Sequence, residues 1–269
     1  MLSYLNLENL KFEIQKIKVR NSRSLLSTNY FDQNLFAKSF KVILFKNSLV
    51  FIDKPRQSSI GRFYYFLAAG DSDFFLQNNI DYDLVCDVLD RAPLDLKLDN
   101  FLAINSFKEY AKLKKMCLTN DSIYKRSELN IKLVESRNIK SISKLFKNNF
   151  DSFSERPPDI DEIEFAIKNK EIYCKVSKLG EIMGFFWNSN KKFLSELRYL
   201  FVVEKYRGQG IGRELLKEYF IKTSNINRKQ LWVLENNNSA IRLYESFGFK
   251  FDGLVDYIYV KKNKILGTK

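Results

Sequence analysis

Apolar residues along the chain come in short bursts, separated by Asn, Asp, Ser, Lys and Gly, which is the rhythm of strands and short helices. In the first half, Leu5–Val19 and Phe31–Ser39 mix apolar and basic positions at helical spacing. Lys41–Phe45 and Leu49–Ile52 read as paired strands around a Lys46-Asn47-Ser48 turn. Arg62–Leu67 reads as a third strand and Leu84–Leu89 as a fourth. A helix is expected at Leu94–Asn105 and a last strand at Ala111–Leu118. The polar break Asn120-Asp121-Ser122 then divides the chain into domains 1–125 and 126–269.

The second half opens with a short strand at Ile131–Val134. A helix follows at Asn138–Asn149, with Ile139, Ile142, Leu145 and Phe146 on one face. A second helix, Asp161–Asn169, follows the Arg156-Pro157-Pro158 turn, with Asp159 as its cap. Glu171–Ser177 and Glu181–Trp187 read as a hairpin around Leu179-Gly180, and residues 194–203 as a central strand. After a glycine-rich turn, Ile211, Leu215, Leu216, Tyr219 and Phe220 recur at helical spacing. A strand at Gln230–Leu234, a helix at Ser239–Phe247 stopped by Gly248, and a strand at Leu254–Lys261 complete the chain.

The turn between the central strand and its helix carries three glycines in five residues, Gly208, Gly210 and Gly212. Such a turn leaves main-chain N–H groups unpaired at a helix N-terminus, where they suit a phosphate. Arg207 opens the loop and can add charge to the same phosphates. The loop lacks the Lys-Ser or Lys-Thr pair of a P-loop, and its glycines alternate instead of following GxGxxG. The plain alternative is an ordinary strand-to-helix connection.

The Arg-x-x-Gly-x-Gly run from Arg207 to Gly212 resembles the pyrophosphate loop of the GNAT family, the GCN5-related N-acetyltransferases. A second segment, Asn237-Asn238-Ser239-Ala240-Ile241-Arg242-Leu243-Tyr244-Glu245-Ser246-Phe247-Gly248-Phe249, resembles the family's Asn-x-x-Ala-x-x-x-Tyr-x-x-x-Gly-Phe. Asn237, Ala240, Tyr244 and Phe247 share one helix face. The resemblance covers roughly 129–262, and the order β-α-α-β-β-β-α-β-α-β matches. It implies an α/β (α+β) GNAT fold: a mixed, mostly antiparallel central sheet flanked by helices, beside a second, N-terminal α/β domain.

The resemblance implies acetyl-CoA as co-substrate, bound where the fourth and fifth strands of the fold part. Main-chain groups of Phe201, Val202 and Val203 would pair with the pantetheine. The N–H groups of Gly208, Gln209, Gly210, Ile211 and Gly212, with Arg207, would hold the pyrophosphate. Asn237 would bond the amide-bearing arm and small Ala240 would let it pass. An amine would attack the thioester directly, with a main-chain N–H near Val203 stabilising the oxyanion. Glu196, eleven residues before Arg207, resembles the base glutamate of the family's histone-acetylating branch; its plain alternative is an exposed edge carboxylate or one ion-paired, as with Arg198. Tyr244 resembles the general acid for the leaving thiolate, against a core tyrosine packed on Phe247 and Phe220. Glu204 reads as a turn residue and Trp232 as core.

A faint internal echo pairs strand, helix and strand at 84–118 with those at 230–261, setting Ile104-Asn105-Ser106-Phe107-Lys108 against Glu245-Ser246-Phe247-Gly248-Phe249. No Arg-x-x-Gly-x-Gly occurs in the first half. The N-terminal half thus reads as a degenerate GNAT-like domain without the cofactor loop, or as a coincidence of two similar layouts.

Composition narrows the chemistry further. The chain has no histidine, which removes Ser-His and Cys-His nucleophiles and His metal sites. Any base must be a carboxylate, tyrosine, shifted lysine or water; no metal is expected. The three cysteines, Cys86, Cys117 and Cys174, are far apart and read as buried thiols in a reducing, cytoplasmic setting. No run of eighteen apolar residues and no secretory signal is visible, so no membrane is expected. The net charge of +13 is dispersed among 32 acidic residues, which suits a polyanionic cofactor better than a nucleic-acid surface. The resemblance implies a small-molecule or peptide amine as acceptor, and a homodimer is compatible. The rival readings are a GNAT-fold module that senses acyl-CoA or binds RNA without turnover, and a transferase of longer acyl groups lined or closed by Phe185, Phe186 and Phe201.

Overall fold

The computed structural model describes residues 2–23, 25–31, 35, 37–55, 58–71, 73, 80–91, 96–119 and 130–263. The chain forms two compact units: residues 1–112 with 255–269, and residues 113–254. The boundary expected at 125/126 lies outside the described residues.

The first unit opens with strand β1 (Leu2–Leu5) and helix α1 (Leu7–Arg20), capped by Asn6, whose side chain accepts from Asn9 N–H. The helix expected from Leu5 therefore starts two residues later, because Leu2–Leu5 pairs antiparallel with Phe40–Ile43. Of the helix expected at Phe31–Ser39, residues 31, 35 and 37–39 are described and are not helical. A short strand β2 (Leu26–Thr28), unsuspected from sequence, comes next. Strands β3 (Phe40–Phe45), β4 (Ser48–Asp53) and β5 (Ile60–Ala68) form an antiparallel meander. β6 (Asp83–Asp90) joins β5 in parallel and leads into α2 (Leu96–Ile104). The last strand of the chain, β13 (Lys250–Lys261), supplies Val255–Lys261 as an antiparallel partner to β6. Leu10, Ile14 and Ile17 of α1 fill one core with Phe40, Phe51 and Phe66, and α2 closes a second with Phe101 against Phe63 and Tyr65.

The second unit begins inside β7 (Lys108–Thr119), whose residues Leu113–Thr119 pair antiparallel with β12 (Arg228–Leu234). Then come β8 (Ile131–Leu133), α3 (Ile139–Asn149) and α4 (Ile160–Lys168). Asp159 caps α4 as expected, accepting from Glu162 N–H at 2.9 Å. β9 (Ile172–Val176), β10 (Ile182–Lys191) and β11 (Leu194–Val202) follow, all antiparallel neighbours, and lead into α5 (Ile211–Lys222). β12 lies parallel to β11, and α6 (Asn238–Glu245) precedes β13. The element order from β8 onward is the one the sequence predicted.

Two cores lie on opposite faces of this sheet. Leu215, Leu216 and Tyr219 of α5 and Tyr244 of α6 pack on Leu197, Leu231 and Phe186. On the other face, Ile142 and Phe146 of α3 and Ile163 of α4 pack on Phe185, Trp187, Tyr199 and Phe201. Phe185 and Phe186 are fully enclosed in these cores, so neither lines an acyl pocket. Cys86 and Cys174 are buried as expected, whereas Cys117 is only partly covered, its Sγ 3.5 Å from Asp252 Oδ2.

The internal echo is visible in the main chain, one residue off the expected alignment. Phe107 N–H donates to Leu102 O, and Phe249 N–H to Tyr244 O, the same helix-ending bond. The residues between hold positive φ, +63° at Ser106 and +92° at Gly248. Ser106 therefore matches Gly248, and Phe107 matches Phe249.

Candidate active site

The site grows from the way β11 and β12 part. They pair in parallel only from Leu194 to Leu197 against Arg228 to Leu231. Beyond Leu197, β11 continues to Val202 along β10 alone. Arg198 is an extra residue on β11, since Tyr199 faces Trp187 and Leu197 faces Asn188. This bulge turns β11 at the point where pairing with β12 ends.

The antiparallel ladder decides which main-chain groups face the opening. Val203 N–H donates to Met183 O at 2.9 Å, so Val203 and Phe201, two residues back, direct their groups toward β10. Leu200 and Val202 therefore direct theirs away, toward the opening. In keeping with this, Val202 O accepts from Arg207 Nε at 3.2 Å. Of the three residues expected to offer main-chain groups, Val202 directs its own to the opening, whereas Phe201 and Val203 direct theirs to β10. Leu200 is the second, and nothing in its side chain marks it.

Beyond Val203, Glu204–Tyr206 form one 3₁₀ turn, with Arg207 N–H donating back to Glu204 O. Gly208 and Gly210 then hold φ of +77° and +79°, a region that suits glycine. Among the described residues, no N–H from Gly208 to Arg213 donates to a protein acceptor; the first amide of α5 to do so is Glu214, to Gly210 O. A Cβ on either Gly208 or Gly210 would meet nothing within 4 Å, so these amides border open space. Six unpaired amides at the N-terminus of a twelve-residue helix favour an anion. Glu214, the carboxylate in the first turn of α5, is neutralised by Lys175. Gln209 is turned back, its Nε2 3.3 Å from Lys205 O.

The loop, the end of β11 and α6 meet at Gly212. A Cβ there would lie 3.3 Å from Leu243 Cδ2 and 3.7 Å from Val202 Cγ2. Asn237 caps α6, its Oδ1 accepting from Ala240 N–H at 3.2 Å and Ser239 Oγ at 3.0 Å. Its oxygen is thus engaged within the helix, and among the described residues its NH₂ donates to no protein acceptor. Ala240 is partly buried beside α5. Tyr244 is 6 % exposed, its ring edge-on to Phe249 at 6.0 Å, so it is a core residue as well. Yet among the described residues its hydroxyl has no hydrogen-bond partner, and burial pushes its pKa well above the phenolic range.

Glu196 stands on the other face. It alternates with Leu197, which packs under α5, so its side chain points to the side of α3 and α4. Its carboxylate accepts from Gln230 Nε2 at 3.5 Å. Arg198, the partner expected in the ion-paired alternative, turns instead to Glu162 of α4 at 3.7 Å and lies over the Trp187 ring. Glu162 is held above the usual carboxylate range by burial, which the Arg198 charge only partly offsets. Trp232, two residues on from Gln230, is only half-buried and lies on this same face. Glu196 and Tyr244 thus lie on opposite sides of the sheet.

One glycine escaped the sequence reading. A Cβ on Gly184 of β10 would fall 2.6 Å from Phe201 O and 3.1 Å from Leu215 Cδ1. Only glycine lets α5 and β11 sit this close, and so sets the position of Val202.

Residues 168–251 match the sequence profile of the acetyltransferase (GNAT) domain. Over 89 residues the chain is 34% identical to a spermine/spermidine N(1)-acetyltransferase of Bacillus subtilis (strain 168), covering 29% of this chain and 59% of that protein. The chain therefore spans a little over half the length of that curated relative. Among solved structures, a GCN5-related N-acetyltransferase from Sphaerobacter thermophilus superposes with a TM-score of 0.57 at 13% identity, over 80% of this chain and 76% of its own. A tandem GNAT protein from the clavulanic acid biosynthesis pathway gives 0.58 at 10% identity, over 97% of this chain and 98% of its own. These likenesses show the fold, and the second extends it over both halves.

Proposed function

We propose that this chain, whose residues 168–251 carry a GNAT domain, moves an acetyl group from acetyl-CoA to a primary amine by direct attack in a ternary complex. The observation that carries the reading is the run of unpaired amides from Gly208 to Arg213, placed beside the parted β11–β12 seam. The residues fit the cofactor: an open, glycine-lined cradle of donors for the diphosphate, and a free strand edge for the amide-bearing arm. Acetyl-CoA supplies an acyl group activated as a thioester.

The protein's part is holding and proton transfer. The amides of Gly208 to Arg213 grip the diphosphate, and exposed Arg207 adds charge once it leaves Val202 O. Leu200 and Val202 offer main-chain groups to the arm as a neighbouring strand would. Because Val203 N–H is engaged by Met183, the N–H of Val202 is the adjacent donor for the developing oxyanion. Glu196 takes the proton that an incoming ammonium must lose, directly or through water. Tyr244, kept protonated by burial, delivers a proton to the departing sulfur. Holding both reactants at the seam supplies much of the rate.

The named activity of the Bacillus subtilis relative makes polyamines the first acceptors to try. Thiol release from acetyl-CoA, followed against spermidine, spermine, amino sugars, amino acids and short peptides, tests the reading. Amine-dependent release at several times the hydrolytic background is expected. Cofactor binding without release for any amine would refute transfer and leave a cofactor-sensing module.

A further inference from the structure

The N-terminal unit repeats the geometry of the catalytic seam, and then closes it. β5 and β6 pair in parallel over only three positions, Ile60 to Arg62 against Asp83 to Val85. Beyond Arg62, β5 runs on to Phe66 along β4, as β11 runs on along β10. On β11 the edge left free is the one offered to the cofactor arm. On β5 the same edge is taken by the chain itself. β2 pairs antiparallel with it, Leu26 to Ala68, Ser27 to Leu67 and Thr28 to Phe66. Leu25 O accepts from Ala69 N–H at 3.0 Å and prolongs this pairing.

Asn29 completes the closure. It is 2 % exposed and sits between the parted strands. Its Nδ2 donates to Phe63 O at 2.9 Å, its Oδ1 accepts from Tyr65 N–H at 2.8 Å, and Nδ2 also lies 3.4 Å from Cys86 Sγ on β6. An amide side chain thus satisfies one carbonyl and one N–H of the strand edge, as the amides of an extended ligand arm would. Tyr30 follows and packs its ring on Phe51 and Tyr64.

Among the described residues, the other parts of a working site have no counterpart in matched positions of this unit. Where β11 leads into unpaired amides, β5 leads to Asp71, a carboxylate 5 % exposed that accepts from Asn47 N–H at 3.1 Å and Ser48 Oγ at 2.7 Å. A buried carboxylate there repels a diphosphate. Gly61, next to the last paired residue of β5, stands where Glu196 stands on β11. Leu102 stands where Tyr244 stands, by the matched helix-ending bonds.

We propose that Leu26–Asn29 is a built-in occupant of the cofactor groove of the N-terminal unit, so that the chain takes up one equivalent of acetyl-CoA and takes it up at the C-terminal unit alone. The occupant replaces the ligand's contribution to the β5 edge and fixes this unit as scaffold.

Hydrogen exchange and calorimetry on the full chain test this. Calorimetry should give one equivalent for the wild type and none for Gly210→Glu. Saturating acetyl-CoA should slow exchange across 207–213 and leave the amides of 63–68 unchanged. Two equivalents, one equivalent surviving in Gly210→Glu, or slowing at 63–68 would overturn the proposal. Without any cofactor, Asn29→Ala should speed exchange of the Tyr65 amide roughly tenfold or more, because that N–H loses a buried acceptor. Should that variant fail to fold, Asn29→Asp keeps the acceptor for Tyr65 and removes the donor to Phe63, and should speed exchange around Phe63 alone. Unchanged exchange in the Asn29 variants would overturn the occupant. A wild type that binds no cofactor defeats the proposed transferase, and the Asn29 readout then decides the inference by itself.

Discussion

Removing one oxygen, in Tyr244→Phe, separates chemistry from fold with unusual clarity. Among the described residues the hydroxyl has no hydrogen-bond partner, and the ring's packing against Phe249 survives the change. No protein bond is lost, so stability at neutral pH should move by less than about 0.5 kcal/mol. The chemical loss should be much larger. A positioned general acid contributes about 10²–10⁴ in rate, and each decade is about 1.36 kcal/mol of barrier. A thiol ionises near pH 8.5, so thiolate is a fair leaving group and the lower end, about 100-fold in kcat, is expected. Burial raises the phenol's pKa above its unfolded value of about 10. Its stabilisation is therefore complete below pH 10 and fades as pH rises through the folded value; above pH 10 the Phe variant should outlast the wild type in thermal melts. The assay is thiol release at saturating acetyl-CoA, with calorimetric affinity and melting temperature on the same samples. An unchanged kcat refutes the acid role, and a parallel loss of cofactor affinity or of fold assigns Tyr244 to structure.

Three further perturbations act at separate points of the seam. Glu196→Gln should lower kcat/KM by about 100-fold and flatten the rising limb of the pH–rate profile, since it deletes the proton acceptor on the α3–α4 face; a profile identical to wild type would make the residue structural. Gly184→Ala forces a Cβ to within 2.6 Å of Phe201 O, so β11 or β10 must shift; a destabilisation of about 1–3 kcal/mol in urea and a raised KM for acetyl-CoA are expected, and wild-type values for both would refute the packing argument. Gly248→Ala places a side chain at φ +92° and 3.3 Å from Leu118 Cδ1; it should cost about 1 kcal/mol or more with the cofactor affinity kept, and no loss would mean the turn relaxes freely.

Much of the C-terminal unit was legible because its determinants are local. Gly208 and Gly210 mark positive φ, Asp159 and Asn237 mark helix starts, and the apolar period marks α3 and α5. The candidate side chains Glu196 and Tyr244 could be listed from motif spacing, yet their opposite faces follow only from packing and from the bulge at Arg198. Leu200 was invisible because a main-chain group carries no side-chain signature. β2 and Asn29 were invisible because their partners on β5 lie more than thirty residues away. The partners of β7 and β13 were invisible for the same reason, since each reads as a strand whichever neighbour it pairs with. Gly184 carries no turn signal, since what it avoids is the close approach of Phe201 and Leu215.

The amides that follow Val203 are what the proposed transfer most depends on. Calorimetric titration of acetyl-CoA into the wild type and into Gly210→Glu, at equal fold stability, addresses them most directly. Micromolar binding, about −8 kcal/mol, is expected in the first and no measurable heat in the second. Equal affinity in both proteins, or none in the wild type, would contradict the proposed transfer.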